Sequence, residues 1–181
     1  MEKDALTETT KMISANVSTS TDKNENLSQI LEHWIRIEKC SIEKYRLLAQ
    51  QTTNPHAKAL FERLSSEGTR HAMILGIIKG MLIETGEINH SIDISPHVTL
   101  PEDTESRNYS TDIEATYHAM KSHLKLEHQL EKKYEMIAEK IKDTRATALF
   151  HGLAEDERSH HKEMLTIIKT FKRTFKDFLK N

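Results

Sequence analysis

Cysteine, proline, glycine and aromatic residues are all scarce in this sequence. Of 181 residues, one is cysteine, three are proline, five are glycine and 6% are aromatic. The single cysteine, Cys40, has no partner for an intrachain disulfide, which suits a reducing cytoplasm. Inside a helical pattern it reads as a small packing residue. So few turn-formers argue against a sandwich or barrel, whose short strands need a turn signal roughly every ten residues. No apolar run is long enough to span a membrane, and the N-terminus lacks the apolar stretch of a secretory signal. Nor does either sign of charge dominate. Lys and Arg total 26 against 28 Asp and Glu, a net charge of −2 that gives no support for a nucleic-acid partner.

What is present suits helices. Charged residues make up 30% of the chain and hydrophobic ones 36%, the balance of long amphipathic helices around one core. Residues 1–25 are polar, with Leu6, Ile13 and Val17 too widely spaced for a buried stripe, and read as a mobile tail. From there the spacing predicts a single domain over 26–181. Its helices are expected at about 26–52, 55–85, 112–142 and 144–179. Asn54-Pro55 forms an N-cap with proline at the first helical position, and Gly86 is a stop. Thr111-Asp112-Ile113-Glu114 matches a capping box, and Asp143 can cap the last helix. Residues 87–110, with Pro96 and Pro101, read as a long crossover between two helical hairpins.

The two hairpins are copies. Shifted by 89 residues, Asn54 meets Asp143, Leu60-Phe61 meets Leu149-Phe150, and Leu64 meets Leu153. The polar matches are more telling: Glu38 meets Glu127, Tyr45 meets Tyr134, and His71 meets His160. Glu38 lies in an apolar stripe with Trp34, Ile42 and Tyr45, and Glu127 lies among Leu124, Leu130 and Tyr134. A carboxylate facing a core costs on the order of 2–7 kcal/mol or more unless something pairs with it. Glu157 and His160 form a Glu-x-x-His pair on one helix face. One Glu from each of two helices, with Glu-x-x-His from the other two, is the ligand set of di-iron and di-manganese carboxylate bundles. Such oxygen-rich donors with imidazole favour iron, with manganese as the second choice.

Residues 153–160, Leu-Ala-Glu-Asp-Glu-Arg-Ser-His, resemble the second-hairpin signature of rubrerythrin-like members of the ferritin-like superfamily. Glu followed seven residues later by Tyr is similar to their first and third helices, and Phe61-Glu62-Arg63-Leu64 ahead of His71 resembles their second. The resemblance implies an all-α, ferritin-like antiparallel four-helix bundle with one long crossover. It also implies ligands Glu38, His71, Glu127, Glu157 and His160, with Tyr45 and Tyr134 bonded behind the ligand carboxylates. Oxygen or peroxide would be the substrate, in ferroxidase or peroxidase-like chemistry that protects against oxidative stress. A homodimer or larger homo-oligomer is expected by the same analogy. The chain has no Cys-x-x-Cys, so the rubredoxin domain of full-length rubrerythrins is absent from it.

The chain departs from the pattern at Gly68, where the family's first Glu-x-x-His has a metal-bridging glutamate. Glu67 and Glu131 are the candidate substitutes. The alternatives are a di-metal centre with an altered bridge, a single-metal site, or a degenerate site in a bundle that serves as a structural or interaction module. The remaining histidines, among them His118, His123, His128, His151 and His161, are expected to be mostly solvated.

Overall fold

The computed structural model describes residues 26–90, 92, 98 and 112–176. The N-terminal tail, most of the crossover, the Thr111 cap and the chain beyond 176 lie outside the described residues. Four helices carry the fold: α1 Leu27–Gln51, α2 Pro55–Glu84, α3 Asp112–Ala138 and α4 Thr144–Thr174. The chain pairs α1 with α2 and α3 with α4, giving two hairpins that pack into one bundle. The architecture is the all-α, ferritin-like four-helix bundle. No helix among the described residues is long and apolar enough to cross a membrane.

Local chemistry sets the helix ends. Asn26 and Gln29 form a reciprocal capping box at the start of α1, with Gln29 N–H donating to Asn26 Oδ1 at 2.9 Å and Asn26 N–H to Gln29 Oε1 at 3.1 Å. Asn54 accepts from the amides of His56 and Ala57, and Asp143 accepts from those of Arg145 and Ala146. The repeated cap thus performs one job twice. Gly86 ends the second helical segment at φ 76°, a left-handed turn that glycine adopts without strain. Helix α3 stops at Ala138, short of the expected Lys142. Beyond it the amides of Lys140 and Ile141 both return to the Ile137 carbonyl, at 2.8 and 3.1 Å. The Lys142 amide then donates to Glu87 Oε2 at 2.8 Å, tying the start of the crossover to the α3–α4 turn.

The core has two parts. Near the α3–α4 turn, Leu27, Leu31, Trp34, Leu75, Ile78, Tyr134 and Phe150 interlock with their neighbours. Toward the other end, Tyr45, Phe61, Leu64, Met120 and Met164 do the same. Between these apolar layers runs a polar band containing Glu38, His71, Glu127 and Glu157, each buried.

Three glycines sit in open space within helices: a Cβ at Gly76, Gly80 or Gly152 would meet nothing within 4 Å. Gly80→Ala and Gly152→Ala should each stabilise the fold by about 0.5–1 kcal/mol. Gly86→Ala should destabilise it because of the positive φ. Urea-unfolding midpoints of the three variants check this.

Candidate metal centre

All four helices contribute to the polar band. Glu38 projects from α1, His71 from α2, Glu127 from α3, and Glu157 and His160 from α4. Their positions follow from the helix period. In α1, Trp34, Glu38, Ser41 and Tyr45 fall on one buried stripe, and the repeat places Glu127 and Tyr134 alike in α3. One donor atom from each of Glu38, His71 and Glu157 lies within 4.8 Å of the others, and Glu127, Glu157 and His160 form a second such group. Glu157 belongs to both. His71 Nδ1 stands 3.2 Å from Glu157 Oε1 and 3.6 Å from Glu38 Oε1. The His71 and His160 rings lie nearly parallel, with centroids 5.7 Å apart.

The outer nitrogen of each of these histidines faces a carboxylate from the opposite hairpin. His71 Nε2 is 4.0 Å from Asp156 Oδ2, and His160 Nε2 is 3.5 Å from Glu67 Oε1. Glu67 and Asp156 are themselves 89 residues apart, so the crossing is symmetric. Each is anchored by an arginine: Arg63 donates to Glu67 and Arg70 to Asp156, both at 2.7 Å. Glu67 therefore sits behind an imidazole rather than in the gap at Gly68. Glu131, the other candidate substitute, accepts from Arg158 Nε at 2.9 Å. Neither belongs to the two donor groups.

The space left at Gly68 is not empty. A Cβ there would stand 3.1 Å from Ile42 Cγ1 and 3.3 Å from Glu38 Oε2. The Glu38 carboxylate thus packs against bare backbone where the family pattern has a glutamate side chain. Helix α2 runs straight through this point with no bulge.

The tyrosines behave differently from one another. Tyr134 donates to Glu38 Oε1 at a long 3.4 Å. Tyr45 reaches no carboxylate; its hydroxyl lies 2.6 Å from His123 Nδ1, and His123 Nε2 lies 2.9 Å from Glu127 Oε1. The expectation of solvated histidines fails at His123, whose side chain is only 13% exposed. A signal for it existed: 123 and 127 are four apart on one helix and share a face. The repeat hid it, because position 34 in the first hairpin is tryptophan.

Burial and crowding of charge govern protonation here. Burial pulls His71 down, but the Glu157 and Glu38 carboxylates outweigh it and raise its pKa to about 10. Glu157 is pushed up to about 7, chiefly by burial, with Glu38 and Glu127 adding to the effect and His71 opposing it. Burial also holds both tyrosine hydroxyls well above their usual range. Protons thus offset negative charge where a cation can. At His123 burial again pulls down, but the Glu127 carboxylate outweighs it and raises the pKa. Both Glu127 oxygens are nevertheless buried without a well-directed hydrogen bond, a costly state for an anion. A hard divalent cation would satisfy this carboxylate better than the off-axis imidazole does, and the surrounding donors, carboxylate oxygens with imidazole nitrogens, fit iron or manganese.

Gly68→Ala tests the packing of Glu38 on the backbone. Unlike Gly152→Ala, it should show no net stabilisation in urea unfolding, because the new methyl forces Glu38 and Ile42 aside.

A model of the rubrerythrin family matches residues 29–168. The matched stretch includes every residue of the two donor groups. No curated protein and no solved structure shows significant similarity to the chain. With the family match spanning all four helices and the buried Glu and His groups lying within it, the chain belongs to the rubrerythrin family.

Proposed function

We propose that this protein binds two metal ions, iron by preference, and uses them in ferroxidase or peroxidase-like chemistry. Glu38 and His71 hold one ion, Glu127 and His160 hold the other, and Glu157 is shared between them. The observation that carries the reading is Glu127: a carboxylate 1% exposed, with no well-directed hydrogen bond to either oxygen, in a cluster of donors from four helices. When bound, iron supplies the Fe(II)/Fe(III) couple with which oxygen or peroxide is reduced. The protein's own residues do the rest. Three buried carboxylates favour the higher oxidation state. Glu67 and Asp156 place negative charge behind the imidazoles, 3.5 Å from His160 Nε2 and 4.0 Å from His71 Nε2. The apolar layers above and below exclude water. Action in the cytoplasm, as a homodimer, is part of the same proposal; the lone Cys40 suits a reducing compartment.

A second reading has its own observation. His71, protonated between Glu38 and Glu157, neutralises part of the site without metal. This supports a metal-free bundle that acts as a structural or interaction module. Elemental analysis of protein purified without chelator separates the two. One to two irons per chain supports the metal centre. A metal-free protein whose melting temperature ignores added iron supports the module.

Two variants of measurement sharpen the test. Glu157→Ala should abolish tight Fe(II) binding while circular dichroism shows the helices intact; unchanged iron stoichiometry would contradict the shared role of Glu157. Metal affinity should also depend on pH. His71 carries a proton below about 10 in the metal-free protein and must release it to become a ligand. The loaded state binds fewer protons, so affinity should rise with pH, about tenfold per unit for one proton. The slope should steepen below about 7, where Glu157 too is protonated. Mn(II) titrations followed by electron paramagnetic resonance between pH 6 and 9 would measure it without oxidation, and a flat profile would count against His71 as a ligand.

A further inference from the structure

We propose that His123 is a third imidazole ligand of the metal centre, supplying a donor in place of the one missing at Gly68. The inference rests on the metal-centre reading above and adds a residue outside the repeated Glu and His set.

His123 lies one helical turn before Glu127, on the same face of α3. Its Nε2 approaches Glu127 Oε1 to 2.9 Å, yet that oxygen has no hydrogen bond. The contact therefore lies off the ring's N–H axis. A ring nitrogen and a carboxylate oxygen this close, without a well-aligned hydrogen bond between them, face a common space. Neighbouring ligands on bonds of about 2.1 Å to one ion stand roughly 3 Å apart, and this pair already has that spacing.

The other ring nitrogen is held. The Tyr45 hydroxyl and His123 Nδ1 share a hydrogen bond of 2.6 Å; in the tautomer in which Nδ1–H is the donor, the Nε2 lone pair is left for the centre. A metal-bound histidine is ordinarily fixed in this way, by a hydrogen bond from its far nitrogen. Tyr45 is thus a positioning residue for His123.

The internal repeat provides a control. The position matching His123 is Trp34. Trp34 stands edge-on to Tyr134, with centroids 5.2 Å apart at 80°, and His123 stands edge-on to Tyr45 at 5.0 Å and 89°. The slot and the ring geometry are the same, but indole has no lone pair to give a metal. Tyr134 bonds the first hairpin's Glu38 directly, whereas an imidazole is interposed between Tyr45 and the second hairpin's Glu127. The donor total agrees. Glu38, Glu127, Glu157, His71 and His160 make five side chains, and His123 makes six, the size of the full set of four glutamates and two histidines. The exchange of a carboxylate for an imidazole leaves the centre one unit more positive and richer in nitrogen.

Co(II) is a suitable probe, because each histidine bound to it shows its remaining ring N–H as a strongly shifted proton NMR signal. The wild-type protein should show three such exchangeable signals. His123→Gln should show two, with helix content unchanged and Co(II) affinity reduced about tenfold or more. Two signals in the wild type, unchanged in the variant, would overturn the assignment while leaving the metal centre standing. Failure of the wild type to take up Co(II) would overturn the centre itself, and this inference with it. Should His123→Gln not fold, the wild-type count decides alone.

Discussion

Three carboxylates placed halfway along an oily bundle are the constraint on which the rest of the structure depends. Glu38, Glu127 and Glu157 are each less than 5% exposed. In a medium of low dielectric their mutual repulsion is large, and each also forfeits its hydration. Positive charge must enter the band, as protons or as metal. In the protein without metal, burial and the neighbouring carboxylates raise the pKa of Glu157, carboxylates raise those of His71 and His123, and Glu127 is left without a well-directed hydrogen bond. The fold tolerates this because the helices are secured elsewhere, by matched caps and by two well-packed apolar layers. Stability is invested at the ends and function in the middle.

The bundle is a repeat with deliberate exceptions. Caps, core aromatics, two glutamates, two histidines and the carboxylates behind them all obey the 89-residue shift. Two exceptions fall at the centre. Gly68 faces Glu157 in the alignment, and Trp34 faces His123. The first removes an oxygen donor and lets Glu38 settle against backbone. The second places an imidazole beside Glu127. The two donor groups are therefore chemically different, although the scaffold that holds them is nearly symmetric.

Much of this was legible in the sequence. The caps Asn54 and Asp143 and the repeated Leu-Phe pair located the hairpins, since capping and the helical period act over a few residues. Glu38, Glu127, His71, Glu157 and His160 stood out because polar groups in register on apolar stripes require a partner. What escaped depends on how neighbouring helices are rotated about their axes. That Glu67 lies behind His160, and that Tyr45 turns to His123 rather than to Glu127, are relations between helices that no spacing within one helix encodes. The end of α3 also escaped, because the Lys142 amide finds Glu87 from the distant crossover and the turn tightens to meet it.

The two apolar layers have a consequence for traffic. They close the bundle above and below the polar band, so nothing charged can travel along its long axis. Of the residues lining the small cavity in the band, His160, His123 and Glu67 are the least buried, with side chains 12%, 13% and 19% exposed. An ion or proton approaching the cavity from the side, between helices, meets these three residues first. The doorway lies in the flank of the barrel of helices, and its sill is made of imidazole and carboxylate.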